Sequence, residues 1–233
     1  MKFISFKNVS KVYNSTDIVV NALDNVSFDI NEGEFVVIVG ASGAGKTTLL
    51  NLLGGMDNAT SGKIIVDGID ISKATAKELT MYRRNAVGFV FQFYNLMPNL
   101  TALENIELAT ELCKNSLPPL EVLESVGLLQ RKDNFPAQLS GGEQQRVSIA
   151  RSIAKNSKLI LCDEPTGALD YKTGKKILKL LHDISKTQNK TIVLVTHNSS
   201  LKQMADKVIT ITSGTIASVD INENPQNIED IEW

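Results

Sequence analysis

The sequence reads GASGAGKTT from residue 40 to residue 48, directly after the wholly apolar run FVVIV at residues 35–39. It matches the pattern G-x-x-x-x-G-K-[ST] at a point where a buried strand would pass into a helix. In that setting glycines let backbone N–H groups surround phosphate oxygens, and the following helix directs its positive end at them. We therefore predict a nucleotide phosphate site formed by Gly40, Ala41, Ser42, Gly43, Ala44, Gly45, Lys46, Thr47 and Thr48.

Two side chains of this loop suit the chemistry of ATP. Lys46 would reach the β- and γ-phosphates, and Thr47 would supply a hydroxyl to Mg²⁺. The alternative is a chance glycine-rich loop. The apolar strand before it and the helical pattern after it, which ends at Gly54 and Gly55, make that alternative the weaker one.

A second apolar run, LILC at residues 159–162, ends in the carboxylates Asp163 and Glu164. Asp163 suits the Mg²⁺ shell, and Glu164 suits polarising the water that attacks the γ-phosphate. Two acids at a strand end could instead be a solvated turn, particularly because Pro165 follows. A phosphate-binding loop in the same chain favours the catalytic interpretation.

Between these two elements lies LSGGEQQ, residues 139–145. Ser140 could simply cap the helix that follows it. A Ser-Gly-Gly helix start is also an anion site, and a chain that already has one phosphate loop would use a second anion site on the γ-phosphate held by another subunit.

LSGGEQQR, followed by a strand that ends in Asp-Glu, resembles the signature motif and Walker B strand of ABC ATPases. The resemblance implies an ATPase that hydrolyses ATP with Mg²⁺ as an ATP-dependent, head-to-tail dimer with two shared sites. It further implies that each signature motif contacts the nucleotide of the partner, through Ser140, Gly141, Gly142 and Glu143.

Other motifs of that family then find matches along nearly the whole chain. Gln92 resembles the glutamine that senses Mg²⁺ and the attacking water, and His197 resembles the histidine that contacts the γ-phosphate. Asp170 resembles the acid of the dimer-interface loop, and Tyr13 the aromatic residue that stacks on adenine. The plainer alternatives are a strand-end hydrogen bond for Gln92 and an ordinary loop position for His197. For Asp170 the alternative is a helix cap, and for Tyr13 an aromatic on a sheet face.

Composition narrows the classes of function. The chain is 42% hydrophobic and 21% charged with a net charge of −2, which argues against a broad nucleic-acid footprint.

Cys113 and Cys162 have no metal-ligand spacing, so a reducing compartment fits best. No apolar run approaches the roughly 18–20 residues that span a bilayer. If the protein works at a membrane, another chain must supply the spanning part.

The pattern of elements predicts an α/β fold: a P-loop NTPase core with a mainly parallel sheet, an N-terminal antiparallel β-subdomain and an inserted α-helical subdomain. We expect the core at residues 1–92 and 157–220, the helical subdomain with the signature motif at 93–156, and an acidic C-terminal tail at 221–233.

Residues 89–98 and 62–68 resemble one branch of the family, whose members serve macrolide export, lipoprotein release and antimicrobial-peptide resistance. That resemblance implies a peripheral subunit at the cytoplasmic face of the membrane, powering a separate integral membrane permease. Residues 93–100, which are apolar and aromatic, would dock the permease, or else pack inside the chain. The alternative function is a mechanical ATPase that regulates a cell-wall or cell-division enzyme through a membrane partner.

Overall fold

The computed structural model describes residues 2–14, 19–111, 113 and 115–232. Its strands are β1 (Lys2–Asn14), β2 (Val19–Asn31), β3 (Phe35–Val39), β4 (Ser61–Val66), β5 (Ile69–Asp70), β6 (Val87–Phe91), β7 (Leu159–Asp163), β8 (Thr191–Thr196), β9 (Lys207–Thr212) and β10 (Thr215–Ile221). Its α-helices are α1 (Lys46–Leu53), α2 (Ala76–Asn85), α3 (Ala102–Thr110), α4 (Pro119–Ser125), α5 (Gly141–Ala154) and α6 (Tyr171–Gln188).

The strands form two sheets. Four of them make an antiparallel sheet in the order β2-β1-β4-β5, and six make a central sheet in the order β10-β9-β3-β8-β7-β6. Every pairing in the central sheet is parallel except that of β10 with β9. The predicted fold class, with its mainly parallel core sheet and N-terminal antiparallel β-structure, is confirmed.

The central sheet is covered on both faces, as its apolar strands require. Alternate residues of β3 show this, since Phe35 and Val37 face one hydrophobic cluster while Val36 and Ile38 face the other. The first cluster packs the sheet against α3, α4, α5 and α6. The second packs it against α1, α2 and the antiparallel sheet. β3 therefore lies at the centre of the molecule, and the loop that follows it is firmly anchored.

The stretch from residue 93 to residue 156 contains α3, α4 and α5 and, where it is described, no strand. Helix α5 is anchored to the core, because its Ser152 hydroxyl donates to the Phe89 carbonyl of β6 over 2.7 Å. No helix of the described residues has both the length and the apolar character needed to cross a membrane.

Two features went unrecognised in the sequence. Helix α2 begins at a capping box in which Thr75 and Glu78 satisfy each other's backbone N–H groups. The acidic tail carries a 3₁₀ turn (Ile228–Asp230) that packs on α6, and it buries Ile228 and Ile231 in the first hydrophobic cluster. Each such side chain contributes about 1.5–3 kcal/mol of burial. Trp233, the last residue of that tail, lies outside the described residues.

Parallel pairing brings three strand ends to one edge of the central sheet. Val39 of β3 pairs with Thr196 of β8, and Asp163 of β7 pairs with Val195 of β8. The residues that follow these strands are therefore neighbours, although they come from distant parts of the sequence. In open α/β sheets this carboxyl edge is where ligands bind.

The junction of β4 with β1 gives a stability prediction. Gly62 has φ +89°, and a Cβ there would lie 2.3 Å from the carbonyl oxygen of Asn8, whereas Gly68 has φ +77° and open space around it. Both Gly→Ala changes add backbone strain, but only Gly62→Ala adds a collision with main-chain atoms. In urea unfolding, Gly62→Ala should lose about 1–3 kcal/mol more than the matched control Gly68→Ala. Equal losses would show that β1 moves aside freely.

Candidate functional site

A cavity of about 670 Å³, here called the first cavity, opens at the carboxyl edge of the central sheet. Its lining includes many of the residues predicted from the sequence: Tyr13, Ser42, Gly43, Gly45, Lys46, Thr47, Thr48, Asp163, Glu164 and His197. The rest comes from β2 and the β9–β10 turn, namely Val20, Asn21, Ala22, Ser213 and Gly214. The phosphate loop, the acidic pair and the predicted adenine contact thus share one cavity.

The phosphate loop is held in place by Lys46 and by β2. The Lys46 ammonium donates to the carbonyl oxygens of Gly40 and Ala41 over 2.8 and 2.9 Å, and the residue is only 8% exposed. Gly45 caps α1 with φ +103°, and a Cβ there would lie 2.5 Å from the carbonyl oxygen of Ala22. No acidic side chain occupies the first turn of α1, so its positive end is available to an anion.

Asp163 and Thr47 form the part of the first cavity that suits a metal. Burial and then the charge of Glu164 raise the pKa of Asp163, while Lys46 and a hydrogen bond with the Thr47 hydroxyl oppose that rise. A desolvated carboxylate beside a hydroxyl is an oxygen-only donor set, which fits Mg²⁺. Two such ligands are too few for a hard cation on their own, so phosphate oxygens and water would complete the shell.

Glu164 is held by the end of β8. Its carboxylate accepts hydrogen bonds from the Thr196 hydroxyl over 3.0 Å and from the His197 backbone N–H over 2.8 Å. The same carboxylate lies 2.8 Å from Nδ1 of His197, which must carry the proton because a carboxylate only accepts. The Glu164 backbone has φ +46°, a left-handed conformation uncommon for a non-glycine residue. The side chain therefore has a defined position at the cavity wall.

Tyr13, which also lines the first cavity, is held by two residues that the sequence did not point to. Its hydroxyl donates to Asp57 over 2.9 Å, and the Lys11 ammonium lies 4.7 Å from the ring centroid. Lys11 also pairs with Asp57 at 2.6 Å. Burial is the largest cause that raises the pKa of Tyr13. Lys11 does not line the cavity, whereas Tyr13 does.

A second cavity, of about 310 Å³, lies where α5 and α6 begin. It is lined by Ser140, Gly141, Gly142, Glu143 and Asp170, together with Arg146, Ala168, Leu169, Thr173, Lys176 and Ile177. The two helices approach so closely that a Cβ on Gly142 would lie 2.4 Å from the Thr173 methyl group. The first and second cavities have no lining residue in common.

Ser140 and Asp170 are both helix caps, as their plainer alternatives supposed. Ser140 and Glu143 form a reciprocal capping box, and the Asp170 carboxylate accepts from the Thr173 backbone N–H over 3.0 Å. Hydrogen bonds from Ser140, led by that of its backbone N–H, lower the pKa of Glu143. Because each cap also lines the second cavity, capping and ligand contact are compatible roles.

Gln92 lines neither cavity. Its amide packs on the loop after Glu164, where a Cβ on Gly167 would lie 3.0 Å from Nε2 of Gln92. In the segment that follows Gln92, some side chains are packed against the core and others are exposed. Leu96 packs against the first hydrophobic cluster, whereas Phe93 and Met97 are 74% and 51% exposed.

The whole chain resembles proteins of one family. The family model described as ABC transporter matches residues 23–167. An uncharacterized ABC transporter ATP-binding protein of Mycobacterium tuberculosis is 42% identical over 226 residues, which cover 95% of this chain and 91% of that protein. The macrolide export ATP-binding/permease protein MacB of Brucella melitensis is 42% identical over 92% of this chain, a match that spans 34% of MacB.

The structural comparison agrees. The ATP-binding cassette MJ0796, solved as a dimer in a post-hydrolysis state with bound ADP and phosphate, superposes with a TM-score of 0.86 at 41% identity. The match covers 94% of this chain and 98% of the solved one. In sequence, the ABC transporter ATP-binding protein MJ0796 of Methanocaldococcus jannaschii is 45% identical over 222 residues, or 91% of this chain and 94% of that protein.

Proposed function

The chain belongs to the family of ABC transporter ATP-binding proteins and is an ATPase of that class, and from this premise we propose that it is the motor of a membrane permease. ATP closes two copies head to tail, and hydrolysis reopens them. The cargo we propose is a peptide, antibiotic or lipid-linked molecule, exported or extracted from the membrane. This choice is supported by the likeness to MacB, whose name describes macrolide export.

The observation that carries the proposal is the separation of the two cavities. The first cavity holds the phosphate loop and the acidic pair, and the second lies at the N-termini of α5 and α6, beside the cationic side chains of Arg146 and Lys176. Head-to-tail pairing would bring the second cavity of one copy over the first cavity of the other, and would complete both sites at once. The dimeric state of the MJ0796 cassette supports this arrangement.

Within the first cavity we assign roles from the contacts. Lys46 and the backbone N–H groups of the loop bind the phosphates, Thr47 and Asp163 hold Mg²⁺, and Tyr13 stacks on the adenine. When bound, Mg²⁺ neutralises charge that develops on the phosphate oxygens. Glu164 accepts a proton from, or orients, the attacking water, and His197, which lines the same cavity, contacts the γ-phosphate.

Gln92 and the residues after it would pass the state of the nucleotide to the permease. Gln92 packs on the loop that follows Glu164, and both the next residue, Phe93, and Met97 further along the segment are exposed. An exposed apolar pair beside the catalytic loop suits a docking surface for a cytoplasmic helix of the permease. Such docking would place the ATPase peripherally, at the cytoplasmic face of the membrane.

The first prediction about function tests catalysis by Glu164. Glu164→Gln keeps the shape of the side chain but removes the base, so it should bind ATP, lose most of its turnover and accumulate as an ATP-bound dimer. Steady-state ATPase assays and gel filtration with ATP and Mg²⁺ measure these effects, with the exposed Glu124→Gln as a charge-matched control. Turnover near that of the control would remove Glu164 from the mechanism.

The second prediction tests the shared site. Ser140→Arg should leave ATP binding to the monomer intact but abolish hydrolysis, because the arginine blocks closure over the partner's nucleotide. Lys46→Ala should abolish hydrolysis by weakening phosphate binding. A mixture of the two inactive variants should regain measurable but reduced activity, since a mixed dimer contains one site free of both changes. A mixture that stays inactive would contradict a site built from two chains.

The third prediction tests the docking surface. Phe93→Asp with Met97→Asp should leave the ATPase activity of the isolated chain near normal, while association with the permease and stimulation by it are lost. The control replaces another exposed apolar pair, Val219 and Ile221 of β10, with aspartate. Loss of basal activity in the Phe93/Met97 variant alone would mean that these residues support the fold instead of docking a partner.

A further inference from the structure

Helix α5 contains a buried glutamine, and packing alone does not explain why a polar residue is buried there. Gln145 is fully buried, with an exposed fraction of 0%. Its Nε2 donates to the carbonyl oxygen of Pro165 over 2.8 Å, while its Oε1 has no hydrogen-bond partner among the described residues. Burying an unpaired amide oxygen is unfavourable, because the oxygen gives up its hydrogen bond to water. An apolar side chain of equal length would fill the same space without that cost.

The one side-chain hydrogen bond that Gln145 makes with the described residues ends on the catalytic loop. Pro165 directly follows Glu164, whose backbone is in the left-handed region at φ +46°. Two main-chain bonds hold this turn: the Glu164 N–H donates to Val195 over 3.0 Å, and the Gly167 N–H donates to Glu164 over 3.0 Å. Gln145 adds a restraint from a different element, and it acts on the carbonyl group of the residue that follows Glu164. A strained turn keeps its shape only when its surroundings hold it.

The same helix connects this turn to the two other parts of the nucleotide machinery. Its N-terminus, capped by Ser140, lines the second cavity. Near its C-terminal end, Arg151 donates to the carbonyl oxygens of Tyr94 and Asn95, over 2.9 and 2.6 Å, just after Gln92. An α-helix is stiff along its axis, so a shift at its first turn changes the position of Gln145 and Arg151 as well.

We propose that Gln145 is a positioning residue that fixes Glu164 for hydrolysis and links its position to the half-site at Ser140. When the first turn of α5 engages the partner's nucleotide, Gln145 fixes the position of the Pro165 carbonyl. This in turn fixes the position of the Glu164 carboxylate, which activates water in the chain's own site. Each chain thereby hydrolyses its ATP in response to the nucleotide of its partner. The inference rests on the proposed role of Glu164 and on the shared site.

The test compares Gln145→Met with Gln144→Met in the full-length chain. Methionine preserves the length of the side chain but removes both the donor and the unpaired oxygen. Gln144 is the matched control, because it lies on the same helix and its Nε2 donates only to the nearby Leu139 carbonyl, over 3.1 Å. Gln145→Met should lower kcat roughly tenfold or more, because small misplacements of a catalytic group are costly. ATP affinity should stay unchanged, the Hill coefficient for ATP should fall towards that of independent sites, and the Tm should not decrease.

Two measurements make the inference falsifiable. If Gln145→Met keeps the kcat and Hill coefficient of Gln144→Met, or if its losses appear only together with a lower Tm and weaker ATP binding, the positioning role is wrong.

Gln145→Leu, which also removes the donor, serves as a second variant if the methionine chain does not fold. In a Glu164→Gln background, Gln145→Met should reduce the residual turnover no further. Normal turnover in Glu164→Gln itself would refute the catalytic assignment, whereas a defect there with none in Gln145→Met refutes only the positioning role.

Discussion

The parallel pairing of β3, β7 and β8 is the constraint on which the rest of the molecule depends. Its register places the residues after Val39, Asp163 and Thr196 at one edge of the sheet, so that the phosphate loop, Glu164 and His197 meet. Such strands must be covered on both faces, and the two hydrophobic clusters provide that cover. Packing on both sides prevents the strand ends from shifting independently, and this rigidity is what a set of catalytic groups requires.

The features that the sequence predicted correctly are those encoded within a few neighbouring residues. The apolar run at 35–39, the glycine loop after it and the β-branched run of β8 each reveal a strand or a turn by local pattern alone. Parallel order follows from the alternation of such strands with helices. The residues that line the first cavity at the phosphate loop and at the end of β7 therefore needed no knowledge of distant contacts.

The features that the sequence did not reveal depend on contacts between distant segments. Asp57 reaches Tyr13 across 44 positions, and Gly214 lines the first cavity only because its turn packs on β2. Gln145 lies inside a recognised motif, yet only the folded chain shows that it bonds to Pro165. Helix α2 is different, because its capping box at Thr75 and Glu78 is a local pattern that the sequence itself contains.

The contacts that hold Tyr13 have a consequence for which nucleotide the site selects. Its hydroxyl already donates to Asp57 and interacts with Thr48, so a base stacked on this side chain would meet its aromatic face and no free donor. Stacking on an aromatic face is tolerant of base identity, since every base has a π-surface. As a stacking surface, Tyr13 would distinguish purines from pyrimidines by their stacking area but would discriminate weakly between adenine and guanine. The relative abundance of ATP and GTP around the protein, more than this residue, would then decide which of the two drives the cycle.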